Sequence, residues 1–189
     1  MSSARRLYLR VTLKLLLLLG LGLAAIPFIA SLQHGGSDSG DASNPWIVEV
    51  DLADLEVGQI HTVPWPGGEI WIHYRTQQDI QYLQSTAIGT LRDPASEQSN
   101  QPAAATNGYR SVKPKYFVFL PRETHRGCQV QQIELSAGIT GYSEACYGAR
   151  FDNAGRIFKH SGQPDQHNLA IPPYEFSGPT TLRLLPAAK

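Results

Sequence analysis

Glu123-Thr124-His125-Arg126-Gly127-Cys128 and, sixteen residues further on, Glu144-Ala145-Cys146-Tyr147-Gly148-Ala149-Arg150-Phe151-Asp152 contain both cysteines of the 189-residue chain. Each half reads as a short loop with one cysteine and one or two groups able to bind a metal. Tyr116 to Leu120 (YFVFL) is apolar throughout and reads as a buried central strand leading into the first loop. Gln129 to Leu135 reads as the strand leaving it, and Arg150 to Phe158 as a hairpin turning at Asn153-Ala154-Gly155. Two loops raised on strands suggest a metal or redox site.

Outward from these loops the pattern is short strands and turns. Trp46 to Val50 is apolar and β-branched, and Gln59 to Trp65 runs into Pro66-Gly67-Gly68. Glu69 to Tyr74 (EIWIHY) alternates, so the two runs predict a hairpin. Thr76 to Leu83 predicts a short helix with Thr76 as its N-cap and Asp79 in its first turn. Arg92 to Asn107 is polar and rich in breakers, and reads as a surface insertion. Asn168 to Ile171, Tyr174 to Phe176 and Thr180 to Leu185 are further strand candidates. The expectation is a small antiparallel all-β domain over 45–189.

The N-terminal region differs in kind. Leu15 to Leu32 carries no charged residue, and with Val11 to Leu13 it predicts a transmembrane helix over 11–32. Arg5, Arg6, Arg10 and Lys14 precede most of it, while His34, Asp38 and Asp41 follow. The positive-inside rule then places the N-terminus in the cytoplasm and the domain across a bacterial inner membrane, in the periplasm. Arg5-Arg6 within 1–10 reads as a twin-arginine export signal. Residues 33–44 (QHGGSDSGDASN) read as a flexible hinge linker with a reach of roughly 20 Å. An exported domain favours one disulfide from its two cysteines, with two buried thiols as the alternative. Sixteen basic against sixteen acidic residues leave no net field to attract nucleic acid.

Ala24-Ala25-Ile26-Pro27-Phe28-Ile29-Ala30-Ser31, Val50-Asp51 with Gly58-Gln59, Trp71-Ile72 with Arg75-Thr76, Leu91-Arg92-Asp93-Pro94 and Gln101-Pro102 follow one another in a recognisable order. Tyr109-Arg110-Ser111 with Lys113-Pro114, Phe151-Asp152, Gly155-Arg156, Asn168-Leu169 and Pro172-Pro173-Tyr174 continue it. In that order and spacing the chain resembles the Rieske iron–sulfur subunit of proteobacterial ubiquinol–cytochrome c reductase. The resemblance implies antiparallel β-sheets and a small two-loop cluster-binding subdomain, here about 121–166. It implies a [2Fe–2S] cluster held by two cysteines and two histidines. It also implies cytochrome b and cytochrome c subunits of a bc-type complex as partners.

Carried over residue by residue, the ligand positions are Glu123, His125, Glu144 and Tyr147, so three of the four ligands are replaced. The resemblance makes Cys128 and Cys146 the disulfide pair that clamps the loops, and Gly127 and Gly148 their turns. Thr124, Arg126, Ala149 and Phe151 complete the tip and its surroundings. Arg126 stands where the family has an apolar leucine that meets cytochrome b. Ala149 stands where it has a serine that tunes the cluster. Thiolates and imidazoles hold such clusters, so no cofactor is expected here. Buried glutamates need partners, and Arg122, Arg126 or Arg150 would supply them.

Three functions compete. One is a non-redox accessory or assembly protein of a respiratory complex, bound to its cytochrome subunits or to a true Rieske protein. Another is a working electron-transfer subunit with unusual ligation, carrying electrons from quinol to cytochrome c. The last is a mononuclear metal site built on His125 with Glu123 and Glu144. No nucleophile–base–acid set is evident, since Ser143, His125 and Glu144 lack the spacing of one.

Overall fold

A computed structural model describes residue 8 and residues 10–21, 47–86 and 88–186. The chain divides into two compact units, Met1–Ser39 and Gly40–Lys189. In the first, residues 10–21 are helical. The rest of the expected span 11–32, the arginine pair, the linker 33–44 and Trp46 lie outside the described residues. Among the described residues, no helix is long and apolar enough to cross a membrane.

In the second unit, nine strands among the described residues form three antiparallel sheets. β1 (Val48–Asp51), β9 (Thr181–Leu184) and β8 (Tyr174–Phe176) make one, in the order β1-β9-β8. β2 (Ile60–Trp65), β3 (Gly68–Tyr74) and β4 (Tyr116–Phe119) make the next. β5 (Val130–Ser136), β6 (Ile139–Glu144) and β7 (Arg150–Phe151) make the last. This last sheet carries both loops: one enters β5 and the other joins β6 to β7.

The expected β2–β3 hairpin is present, with Trp65 opposite Gly68. Tyr116, Phe117, Val118 and Phe119 are all buried, yet β4 ends its sheet rather than lying at its centre. Its buried position comes from cover: Leu120 N–H donates to the Ala170 carbonyl at 2.9 Å. Asn168 to Ile171 is no strand. Its backbone bonds go to three different places, Leu169 to Gly155, Ala170 to Leu120 and Ile171 to Asn100, so no ladder forms. Nor is 92–107 wholly a surface insertion, because Ala105 is fully buried in the core. The hairpin at Asn153-Ala154-Gly155 is real but tight: Gly155 N–H donates to Asp152 O, and Asp152 N–H to Arg156 O.

The helix Gln77–Ser85 starts on a capping box: Thr76 Oγ1 accepts from Asp79 N–H, and Asp79 accepts from Thr76 N–H. The other oxygen of Asp79 accepts from Thr140 N–H at 2.8 Å, which fixes the helix to β6. Two fully buried guanidiniums, those of Arg75 and Arg110, hold the turn at 153–155. Arg75 donates to the carbonyls of Asn153, Pro114 and Tyr109 and to Ser111 Oγ. Arg110 donates to the carbonyls of Ala154, Gly155 and Leu169. Burial lowers both to about 10, so both stay charged at neutral pH.

His73 on β3 is fully buried and bonds through Nδ1 to the Tyr142 hydroxyl at 2.8 Å. Burial, helped by Arg75, lowers its pKa from 6.5 to about 4. Between those values the unfolded chain binds a proton that the folded protein refuses. Stability therefore falls as pH drops through that window, by on the order of 3 kcal/mol. Urea midpoints of the wild type should decline from pH 7 to pH 4, and His73→Gln should flatten that part of the curve.

Candidate functional site

The two loops are built alike. Glu123, in the first, accepts from the backbone N–H groups of His125 (2.6 Å), Arg126 (2.6 Å) and Cys128 (3.1 Å). Glu144, in the second, accepts from those of Cys146 (2.6 Å), Tyr147 (2.9 Å) and Ala149 (2.9 Å). In both cases the donors follow the glutamate by two, three and five positions. Each glutamate also closes its loop through its own N–H, Glu123 to the Cys128 carbonyl and Glu144 to the Ala149 carbonyl. The turn glycine comes four positions after the glutamate, Gly127 at φ +75° and Gly148 at φ +70°. A left-handed residue there lets consecutive N–H groups converge on one anion.

Both carboxylates are buried, at 2% and 3% exposure, and one side chain reaches both. Gln166 Nε2 lies 2.8 Å from Glu123 Oε2 and 3.5 Å from Glu144 Oε1. Gln166 is itself fully buried and turns its amide oxygen to Gln163 N–H at 2.7 Å. Burial alone would raise the Glu123 pKa, but the hydrogen bonds from Gln166 and the three backbone N–H groups outweigh it. The carboxyl lies below its usual range and is ionised. The expected arginine partners are not used. Arg122, Arg126 and Arg150 are exposed, and none forms an ion pair with either glutamate among the described residues. Backbone dipoles do that work, at no cost in desolvating a second charge.

Cys128 and Cys146 form a disulfide with Cα atoms 6.5 Å apart, and no free cysteine is present among the described residues. His125 Nδ1 lies 2.6 Å from Asp165 Oδ2. That bond lowers the Asp165 pKa. The Tyr147 and His125 rings pack in a T-shape, with centroids 5.2 Å apart. Ala149 and Phe151 are fully buried, whereas Thr124 and Arg126 are exposed. Among the described residues the one trio of potential ligand atoms within 4.8 Å is Cys128, Glu144 and Cys146. Two of its members are joined to each other, and His125 with the two glutamates is not such a trio.

The residues that sequence reasoning missed sit in the loop over the site. Arg92 donates to the carbonyls of Ser161 (2.6 Å), Gln163 (2.5 Å) and Gln166 (2.9 Å), which holds Gln166 above the carboxylates. A Cβ at Gly162, at φ +63°, would run into Gln166 Oε1 and lie 2.6 Å from Ala149 Cβ. The signal that could have found the site was the shared Glu-x-x-x-Gly spacing of the two loops. Arg92→Ala should cost about 2 kcal/mol, because it strips charge-assisted bonds from a half-buried loop. Amide exchange should quicken at 161–166 before it does elsewhere.

The chain is 34% identical over 170 residues to the ubiquinol–cytochrome c reductase iron–sulfur subunit of Allochromatium vinosum, covering 86% of this chain and 79% of that one. The chain belongs to the Rieske iron–sulfur subunits of ubiquinol–cytochrome c reductase. The subunit of Rhodobacter capsulatus is 33% identical over 171 residues, 86% of this chain and 85% of that one. The mitochondrial cytochrome b-c1 complex subunit Rieske of Schizosaccharomyces pombe is 35% identical over 130 residues, 69% of this chain and 50% of that one. No protein-family model matches. In this Rieske-family chain the two sulfurs are bonded to each other, the histidine Nδ1 faces Asp165, and the two carboxylates accept from backbone N–H groups.

Proposed function

We propose that the protein is a cluster-free member of the Rieske family, acting as a non-redox accessory or assembly subunit of a bc-type respiratory complex. Glu123, His125, Glu144 and Tyr147 stand at the family's ligand positions. One observation carries the reading: each glutamate carboxylate satisfies three N–H groups of its own loop, at the same offsets in both loops. The loops are thereby complete without a bound group, and Gln166 fills the space between them. Export on the arginine pair, an anchor over 11–32 and a hinge over 33–44 would tether the domain in the periplasm. There it would meet cytochrome b and cytochrome c subunits, or a true Rieske protein, through a tip where Arg126 is exposed.

The test is a complex purified from membranes in which this chain is the only Rieske-family protein. The full-length protein should co-purify with the cytochrome b subunit, while quinol-dependent cytochrome c reduction stays at background. Reduction at the rate of an ordinary complex would overturn the proposal and establish a working electron-transfer subunit.

A further inference from the structure

Beside the first loop lies a groove of about 600 Å³, within the range of small-ligand sites. The β2–β3 turn, residues 100–102 and the tail 170–173 form its walls. Its lining includes the apolar Trp65, Leu120, Ile171 and Pro172. Three ionisable residues face it: Glu69, Arg122 and Glu123.

Those three are not equally free. Glu123 is fully engaged, as described above. Glu69 Oε1 accepts from Trp71 Nε1 at 2.9 Å and from Gln129 Nε2 at 2.7 Å. Among the described residues the Arg122 side chain makes no ion pair and no hydrogen bond. Its guanidinium lies against the β2–β3 turn, where a Cβ at Gly68 would come 3.2 Å from Arg122 Nε. The turn thus holds one uncommitted cation at the edge of an apolar cleft.

We propose that this groove binds an apolar monocarboxylate. The carboxylate pairs with the Arg122 guanidinium, whose planar fork suits two parallel N–H···O bonds. The apolar body lies over Trp65 and Pro172. Glu69, with Oε1 already accepting from Trp71 and Gln129, lines the same groove and disfavours a second carboxylate on the ligand. The groove shares Glu123 with the first loop, but the pairing proposed here uses Arg122.

The test uses the full-length protein in nanodiscs of zwitterionic lipid, with phenylbutyrate as the probe. The Trp65 indole N–H, assigned by its loss in Trp65→Phe, is followed by ¹H–¹⁵N NMR. A saturable shift is expected, with the uncharged phenylbutyramide binding about tenfold more weakly. Arg122→Gln, an exposed change that leaves the core intact, should remove that preference. No saturable shift in the wild type would overturn the proposal. So would equal binding of acid and amide, or an Arg122→Gln variant that binds the acid as well as the wild type does.

Discussion

Glu144→Ala should lower stability by about 4 kcal/mol, and Glu123→Ala by a similar amount. Each substitution removes one buried carboxylate and strands three backbone N–H groups that it held. A buried donor without an acceptor costs about 1–3 kcal/mol. The sum is trimmed because the loop tips lie near water, which can reach some of the freed groups. Glutamine in place of glutamate keeps the shape but turns an amide N–H₂ towards N–H donors, so about 2 kcal/mol is expected from it. The two sites share Gln166, so the double variant should lose less than the sum of the singles. Urea midpoints with unchanged slopes would measure all of this. The Glu123 pKa is lowered in the folded protein, so its contribution is present above the unfolded value of 4.5. It is lost as pH falls below that value, and Glu123→Gln should remove this acid limb.

Removing the disulfide should cost about 3 kcal/mol and lower the melting temperature by roughly 10 °C. Cys128 and Cys146 are separated by 18 positions, so the bond denies the unfolded chain a modest loop's worth of freedom. The two kinds of variant should separate in amide exchange. In Cys128→Ser/Cys146→Ser, the N–H groups of Arg126 and Ala149 still face their carboxylates and should remain protected relative to global unfolding. In Glu123→Ala and Glu144→Ala, the same groups should exchange quickly although the disulfide is intact. If the loops opened equally in both cases, the carboxylates would not be what holds them.

The strands were legible where one short-range pattern decided them. Alternation and Pro66-Gly67 gave the β2–β3 hairpin, and Thr76 with Asp79 gave the helix start. β6 was not foreseen, because Ile139–Glu144 (ITGYSE) neither alternates clearly nor runs apolar, and its burial comes from packing. Asn168 to Ile171 looked like a strand for the opposite reason: Leu169-Ala170-Ile171 is an apolar run, but the bonds of the segment scatter to three partners. At the site, the residue types at the family's ligand positions could be read from the chain. What satisfies them could not. A buried glutamate near three arginines suggests ion pairs, whereas the actual partners are N–H groups two to five positions on and an amide from Gln166. Gln166 in turn depends on Arg92, which lies more than seventy positions earlier and acts only through carbonyls. No local pattern encodes that contact.

On the reading proposed above, Glu123 and Glu144 complete the loops in place of a cluster. The direct measurement is iron and acid-labile sulfide in the full-length protein purified without air, with the EPR spectrum of its reduced form. A colourless protein with only trace iron and sulfide, and no Rieske-type signal, is expected. Near-stoichiometric iron and sulfide with such a signal would contradict it.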